Sequence, residues 1–339
     1  MFMLESGVVV FSLIYLRSWY HAATWNVNLC TVMEGKGLMC KPVSWKISLH
    51  GGHSSGFCDH SGSTLGEMLD AAVAFGYHCF GVAEHAPRPA EKYLYAEEIE
   101  MGWDVKTLDR LFRVYADTMD RAVDTYMGRL QVLKAFEAEV VPPKEYAENM
   151  LSYKRELNFD YIVGSVHYVD DIIIDYKQEY FGQALEACGG YERLAVRYYQ
   201  ILADMVSKLR PEVVGHFDII RKYFPMEREK ELYTTRAKAA AEEALEAMRE
   251  FNCILDINTA GYRKGSPFPY PAPTHVQLAR DLGIPVCFGD DSHEARHVGE
   301  GIEQAREYLL SMGINRIMTL ERGEAGLNRA GVSLIDTLS

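Results

Sequence analysis

From Val43 onward, short apolar runs alternate with longer stretches in which apolar residues recur every three or four positions. The runs suit buried strands of a parallel sheet and the stretches suit helices that lay one apolar stripe on it, so the pattern predicts repeated βα units. Strands are expected at residues 45–49, 79–83, 130–136, 160–166, 212–215, 253–257 and 284–288, with 317–320 an eighth and weaker run. Thr64 followed by Glu67 forms a capping box that opens a helix through Phe75, and Gly76 is placed to stop it. Leu108, Leu111, Phe112, Tyr115, Met119, Ala122, Val123 and Tyr126 keep helical spacing. Further helices are expected up to Leu157, over 191–209, over the Ala- and Glu-rich 231–251, from Pro273 to Leu282 and over 300–312.

The ends of these runs carry the chemistry. Seven of the eleven histidines, His50, His53, His60, His85, His167, His216 and His293, fall at a strand end or in the turn after it, interleaved with Glu137 and Asp291. Imidazoles and carboxylates delivered by successive strand ends are what a multinuclear metal site requires, and the carboxyl face of the strands is where barrel enzymes keep their chemistry. His21, His78, His275 and His297 are left as structural or surface residues. Glu139 shares the strand face of Glu137 and is its rival, whereas Asp290 is expected to face away from Asp291's side. His50 and His53 are separated by two residues, so in a regular strand they would point to opposite faces. Either Gly51-Gly52 forms a bulge or one of the two histidines is not a ligand.

At 339 residues the chain is long enough for one α/β barrel, and 48% hydrophobic with 24% charged residues is an ordinary globular composition. The net charge of −13, with no clustered Lys or Arg, excludes a broad nucleic-acid surface. The seven scattered cysteines include no C-x-x-C pair and are expected as free thiols in a reducing cytoplasm. The apolar segment 8–16 (VVVFSLIYL) is far short of the about 20 residues of a membrane span, so no membrane partner is expected. Residues 1–43 are read as an N-terminal extension, disordered or not native, with Met33 and Met39 as alternative starts, and residues 44–339 as the functional domain.

The segments LHGGHSSGFCDHSGSTLGEMLDAAVAFGYHCFGVAEHAPRP, FEAEV, DYIVGSVHY, VVGHFDIIRKYF, DINTAGYRK and GDDSH follow one another in order over about residues 45–320. This series resembles the polymerase-and-histidinol-phosphatase (PHP) superfamily, and within it the histidinol-phosphate phosphatases. The resemblance implies a distorted TIM-like (β/α)7 barrel holding three divalent metal ions (Zn, Fe or Mn). It further implies a first ion on His50, His53, Glu137 and Asp291, a second shared through Glu137 with His167 and His216, and a third on His60, His85 and His293. The family pattern opens with H-x-H where this chain has H-x-x-H.

The activity so implied is hydrolysis of L-histidinol phosphate to L-histidinol and phosphate in histidine biosynthesis. A hydroxide bridging the first two ions is the expected nucleophile, with Glu137 and Asp291 as the catalytic carboxylates. Arg263, and after it Lys222, are the expected phosphate-binding cations, since guanidinium can hold two oxygens at once. Trp103, Tyr168 and Tyr262 are candidates to wall the imidazole of the substrate. The competing expectations are the same site acting on another small phosphoester or nucleotide, and a barrel that has lost its metals and only binds.

Overall fold

The computed structural model describes residues 44–323 and 326–335. The apolar segment 8–16 and the rest of the N-terminal extension lie outside the described residues. Seven strands form a closed parallel barrel: β1 (Ile47–Gly52), β2 (Cys79–His85), β3 (Gln131–Ala138), β4 (Tyr161–Gly164), then, past a small hairpin of β5 (Tyr168–Val169) and β6 (Ile172–Ile173), β7 (Val213–Val214), β8 (Ile254–Asn258) and β9 (Val286–Ser292). β9 returns to pair with β1 and closes the ring. With β7 only two residues long and β1 pairing irregularly, the barrel is a distorted TIM-like one.

The eighth expected run is a real strand but not a barrel strand. It lies in β10 (Arg316–Gly323), which pairs antiparallel with β11 (Gly326–Ser333). This ribbon sits at the amino end of β2 and β3, where Gln131 Nε2 donates to Leu320 O at 2.7 Å. An isolated apolar run cannot reveal whether its partner is the barrel or a neighbouring ribbon, because the side-chain period is the same in both.

The helices form for the anticipated local reasons. Thr64 and Glu67 cap Leu65–Phe75 reciprocally, and Gly76 ends it in the left-handed conformation. Val105–Tyr126 buries Leu108, Phe112, Tyr115 and Met119 along one stripe. The expected helix over 231–251 is shorter than its composition suggested: Met226–Tyr233 is 3₁₀, and the α-helix Thr235–Glu250 begins only after Thr234, whose side chain accepts from Ala237 N–H. A cap hydrogen bond decided that boundary over Ala and Glu propensity.

Alternation in β3 sets the site. Phe136 points outward and packs edge-on against Phe112 at 5.5 Å, and Lys134 Nζ reaches Asp120 at 2.8 Å, so Glu137 must point inward. The described cysteines, Cys58, Cys79, Cys188, Cys253 and Cys287, are free thiols. Among the described residues no helix is long and apolar enough to cross a membrane.

Candidate metal centre

Gly51 and Gly52 resolve the histidine spacing. The β1 pairing register shifts between Ser48 and Gly52 against β2, and between His50 and Gly52 against β9, which is the irregularity a bulge produces. A Cβ on Gly51 would meet Phe80 Cζ at 2.6 Å and one on Gly52 would meet Ser292 O at 2.3 Å, so only glycine fits this close approach. The extra residue turns both imidazoles inward. His50 Nε2 lies 3.6 Å from one Glu137 oxygen and His53 Nε2 3.7 Å from the other.

Glu137 is the hub. Its Oε1 lies 2.9 Å from His216 Nε2 and 3.4 Å from His167 Nε2, and its Oε2 lies 3.0 Å from His85 Nδ1. Asp291 Oδ1 approaches His53 Nε2 at 3.5 Å and His293 Nδ1 at 3.9 Å. The φ of Asp291 is 45°, a left-handed conformation that costs a non-glycine residue energy and clusters at functional sites. His60 completes the rim, its ring stacked on that of His293 with centroids 4.6 Å apart. All seven histidines and both carboxylates singled out in the sequence thus converge on one end of the barrel.

Carboxylates behind the cluster orient it. Glu139 accepts from His167 Nδ1 at 3.0 Å, so the rival of Glu137 turns its ring and leaves Nε2 facing the hub. Asp256 lies 2.9 Å from His50 Nδ1, and Asn258 donates to both Asp256 and Asp291. Asp256 and Asn258 were not anticipated, although their i, i+2 spacing in β8 puts them on one face of a strand ending in the cavity. Glu84 approaches His53 Nδ1 at 3.6 Å and accepts from Ser54 Oγ at 2.6 Å.

The electrostatics are those of a site built around positive charge. Burial pushes the Glu137 carboxyl up, but His167, His50 and His85 outweigh it and hold it well below the usual carboxylate range. Asp291 is likewise raised by burial and carried well below by His50, His53 and His293. Burial lowers His53, yet its contacts with Asp291 and Glu84 lift it to about 9. His85 is pushed well below its ordinary value by burial and then by His53, and His293 by burial, His53 and His60.

The cluster floors a cavity of about 570 Å³. Arg263, Lys222 and Lys264 line it, as do Tyr95, Tyr176 and Tyr270. Arg263 ends the short helix Ala260–Arg263; its Nη2 donates to the carbonyls of Asp290 and Asp291, while Nη1 is buried without a partner. Lys222 donates to Asp175 O. The expected aromatic wall is corrected: Trp103, Tyr168 and Tyr262 do not line the cavity, and Tyr168 is buried with its hydroxyl on Tyr93 O at 3.1 Å. Tyr95 and Tyr176, stacked at 4.9 Å, stand there instead. Lys264 was missed beside Arg263. His297, expected as a structural or surface residue, also lines the cavity, whereas His275 is a buried structural residue near Asp218 at 3.3 Å.

The profile of the PHP domain family matches residues 50–260. The chain belongs to the PHP family. A Schizosaccharomyces pombe protein named probable histidinol-phosphatase is 31% identical over 283 residues, covering 83% of this chain and 91% of that one. The Saccharomyces cerevisiae histidinol-phosphatase is 24% identical over 315 residues, covering 82% of this chain and 93% of its own length. The crystal structure of a Lactococcus lactis histidinol phosphate phosphatase, solved with zinc, L-histidinol and phosphate, superposes with a TM-score of 0.59 at 17% identity. That likeness covers 81% of this chain and 96% of the other, and it shows a shared fold.

Divalent metal fits the residues of this PHP chain. His50 Nε2, both ring nitrogens of His53, His85 Nδ1 and His216 Nδ1 are buried without a hydrogen-bond partner. Buried polar atoms are costly when unsatisfied, and a coordinated cation satisfies imidazoles that hydrogen bonds leave bare. Groups such as His50–His53–Glu137 and His85–Glu139–His167 already hold ligand atoms within 4.8 Å of one another.

Proposed function

We propose that this PHP protein is a metal-dependent phosphomonoesterase that hydrolyses L-histidinol phosphate to L-histidinol and inorganic phosphate, as a step of histidine biosynthesis in the cytoplasm. The observation that carries the reading is the Glu137 hub: one buried carboxylate within 3.7 Å of five imidazole nitrogens, at the floor of a cavity with a cationic wall. Relatives named histidinol-phosphatase, aligned over most of both chains, supply the substrate.

In this reading His50, His53, Glu137 and Asp291 hold one divalent ion, Glu137 with His167 and His216 a second, and His60, His85 and His293 a third. Bound Zn, Fe or Mn supplies Lewis acidity, which makes water a nucleophile near neutral pH and offsets phosphoryl charge. The protein's own groups do the rest. Glu139 and Asp256 fix the rings of His167 and His50, and Asp291 would take the proton of the attacking water and pass it to the leaving histidinol oxygen as the phosphorus–oxygen bond breaks. The free Nη1 of Arg263, already aimed by the backbone carbonyls that hold Nη2, binds a phosphoryl oxygen, and Lys222 adds charge beside it.

A substrate panel tests this. Purified protein supplied with manganese or zinc is expected to hydrolyse histidinol phosphate with a far higher kcat/KM than nucleoside monophosphates or sugar phosphates. The reverse ranking would assign the same site to another phosphoester. No hydrolysis of any member by metal-loaded protein would leave a binding module.

A further inference from the structure

The loop after β1 places a thiol among the imidazoles of the outermost site. Cys58 is buried, at 5% exposure, and its Sγ lies 3.5 Å from His60 Nδ1 and 3.6 Å from Nε2. It also belongs to a group with His53, His85 and His293 whose ligand atoms all lie within 4.8 Å of one another. His60 Nδ1 is 3.1 Å from Asp59 Oδ1, so a carboxylate orients the ring and leaves Nε2 for a cation, the arrangement seen behind metal-bound histidines. His53 has both nitrogens buried without partners, and so has His85 at Nδ1.

Cys58 Sγ is nearly equidistant from the two His60 nitrogens, so it is the approach to His85 and His293, with ligand atoms within 4.8 Å of one another, that joins the thiol to the outermost set.

We propose that Cys58 is a fourth ligand of the outermost ion, which with His60, His85 and His293 makes a nitrogen-and-sulfur set. This rests on the three-ion reading above and adds two consequences. Four protein donors fill a tetrahedral shell, so this ion secures the loop and the charge of the rim and offers no open position for substrate. A thiolate also biases the site toward zinc or iron over manganese, which prefers oxygen donors.

Cobalt(II) tests the assignment independently of activity, because a thiolate bound to cobalt gives a near-ultraviolet charge-transfer band that nitrogen and oxygen ligands do not. The full chain is stripped of metal, titrated with cobalt and followed by absorbance, with metal content measured by elemental analysis. The band is expected in the native protein and is expected to vanish in Cys58→Ser and Cys58→Ala, with affinity for the outermost ion falling on the order of tenfold or more. Should neither variant fold, zinc X-ray absorption of the native protein must show a sulfur neighbour. Three bound ions with no thiolate band or sulfur neighbour overturn the role of Cys58 and leave the phosphatase reading standing. Fewer ions and no band overturn both, and a band that persists without Cys58 overturns the assignment to this residue.

Discussion

The two ends of the barrel are made by the same strands and obey opposite rules. At the amino end Ile47, Cys79, Tyr161, Val213 and Ile254 are completely buried, and the polar atoms among them are satisfied, as where Tyr161 hydroxyl donates to Leu49 O at 2.6 Å. At the carboxyl end the interior is imidazole and carboxylate, and several ring nitrogens have no partner. A fold tolerates so many unsatisfied buried groups at one end only when something else completes them. β9 shows the contrast in two consecutive residues. Asp290 faces the packed side, takes hydrogen bonds from Tyr77 and Gly299 and is pushed by burial up to about 7, while its neighbour Asp291 faces the imidazoles and is held well below the carboxylate range.

The contrast can be broken from either end. Glu137→Gln removes the charge that the imidazoles share, and kcat/KM for histidinol phosphate is expected to fall more than about a hundredfold, with bound metal falling alongside it, since even outer-shell partners cost 10–100-fold. Arg263→Met acts on the wall and not on the floor. It is expected to lower kcat/KM by roughly 10–100-fold, about 1.5–3 kcal/mol for a hydrogen bond to a charged group, and to leave metal content unchanged in elemental analysis.

A third prediction concerns pH. Burial raises Asp218, but Arg221 at 2.7 Å and His275 outweigh it and lower its pKa in the folded state. A carboxyl depressed by folding stabilises the protein above its unfolded value of about 4 and loses that contribution as pH falls through the folded value. In chelator-treated protein, the urea midpoint of the native chain is therefore expected to drop more steeply below about pH 4 than that of Asp218→Asn. The smallest effect belongs to the amino end. Tyr161→Phe is expected to cost about 1 kcal/mol in urea unfolding and to leave metal content and KM unchanged.

What was legible in the sequence followed from local chemistry. Strand ends announced themselves because apolar runs stop at His85, Glu137, His167 and His216, and the Thr64–Glu67 box marked a helix start to the residue. The bulge at Gly51-Gly52 could be posed as a requirement but not decided, because its cause lies in Phe80 and Ser292, brought up from distant strands. The same limit explains the misplaced aromatic wall. Tyr95 and Tyr176 come from excursions between barrel strands, and no periodicity says which loop folds over a rim. It also explains the ribbon, since the apolar run of β10 does not say that it pairs with β11 and meets β3 through Gln131 and Leu320. Roles within the cluster, such as Glu139 turning His167 while Glu137 faces the hub, depend on distances that a shared strand face cannot give.

Metal content of the full chain, purified without chelator and measured by elemental analysis beside Glu137→Gln, bears most directly on whether the polar end of the barrel exists to hold cations. Three divalent ions per native chain are expected, with a marked loss in the variant. Less than one ion per native chain, in protein that is folded and supplied with zinc or manganese, would contradict that role.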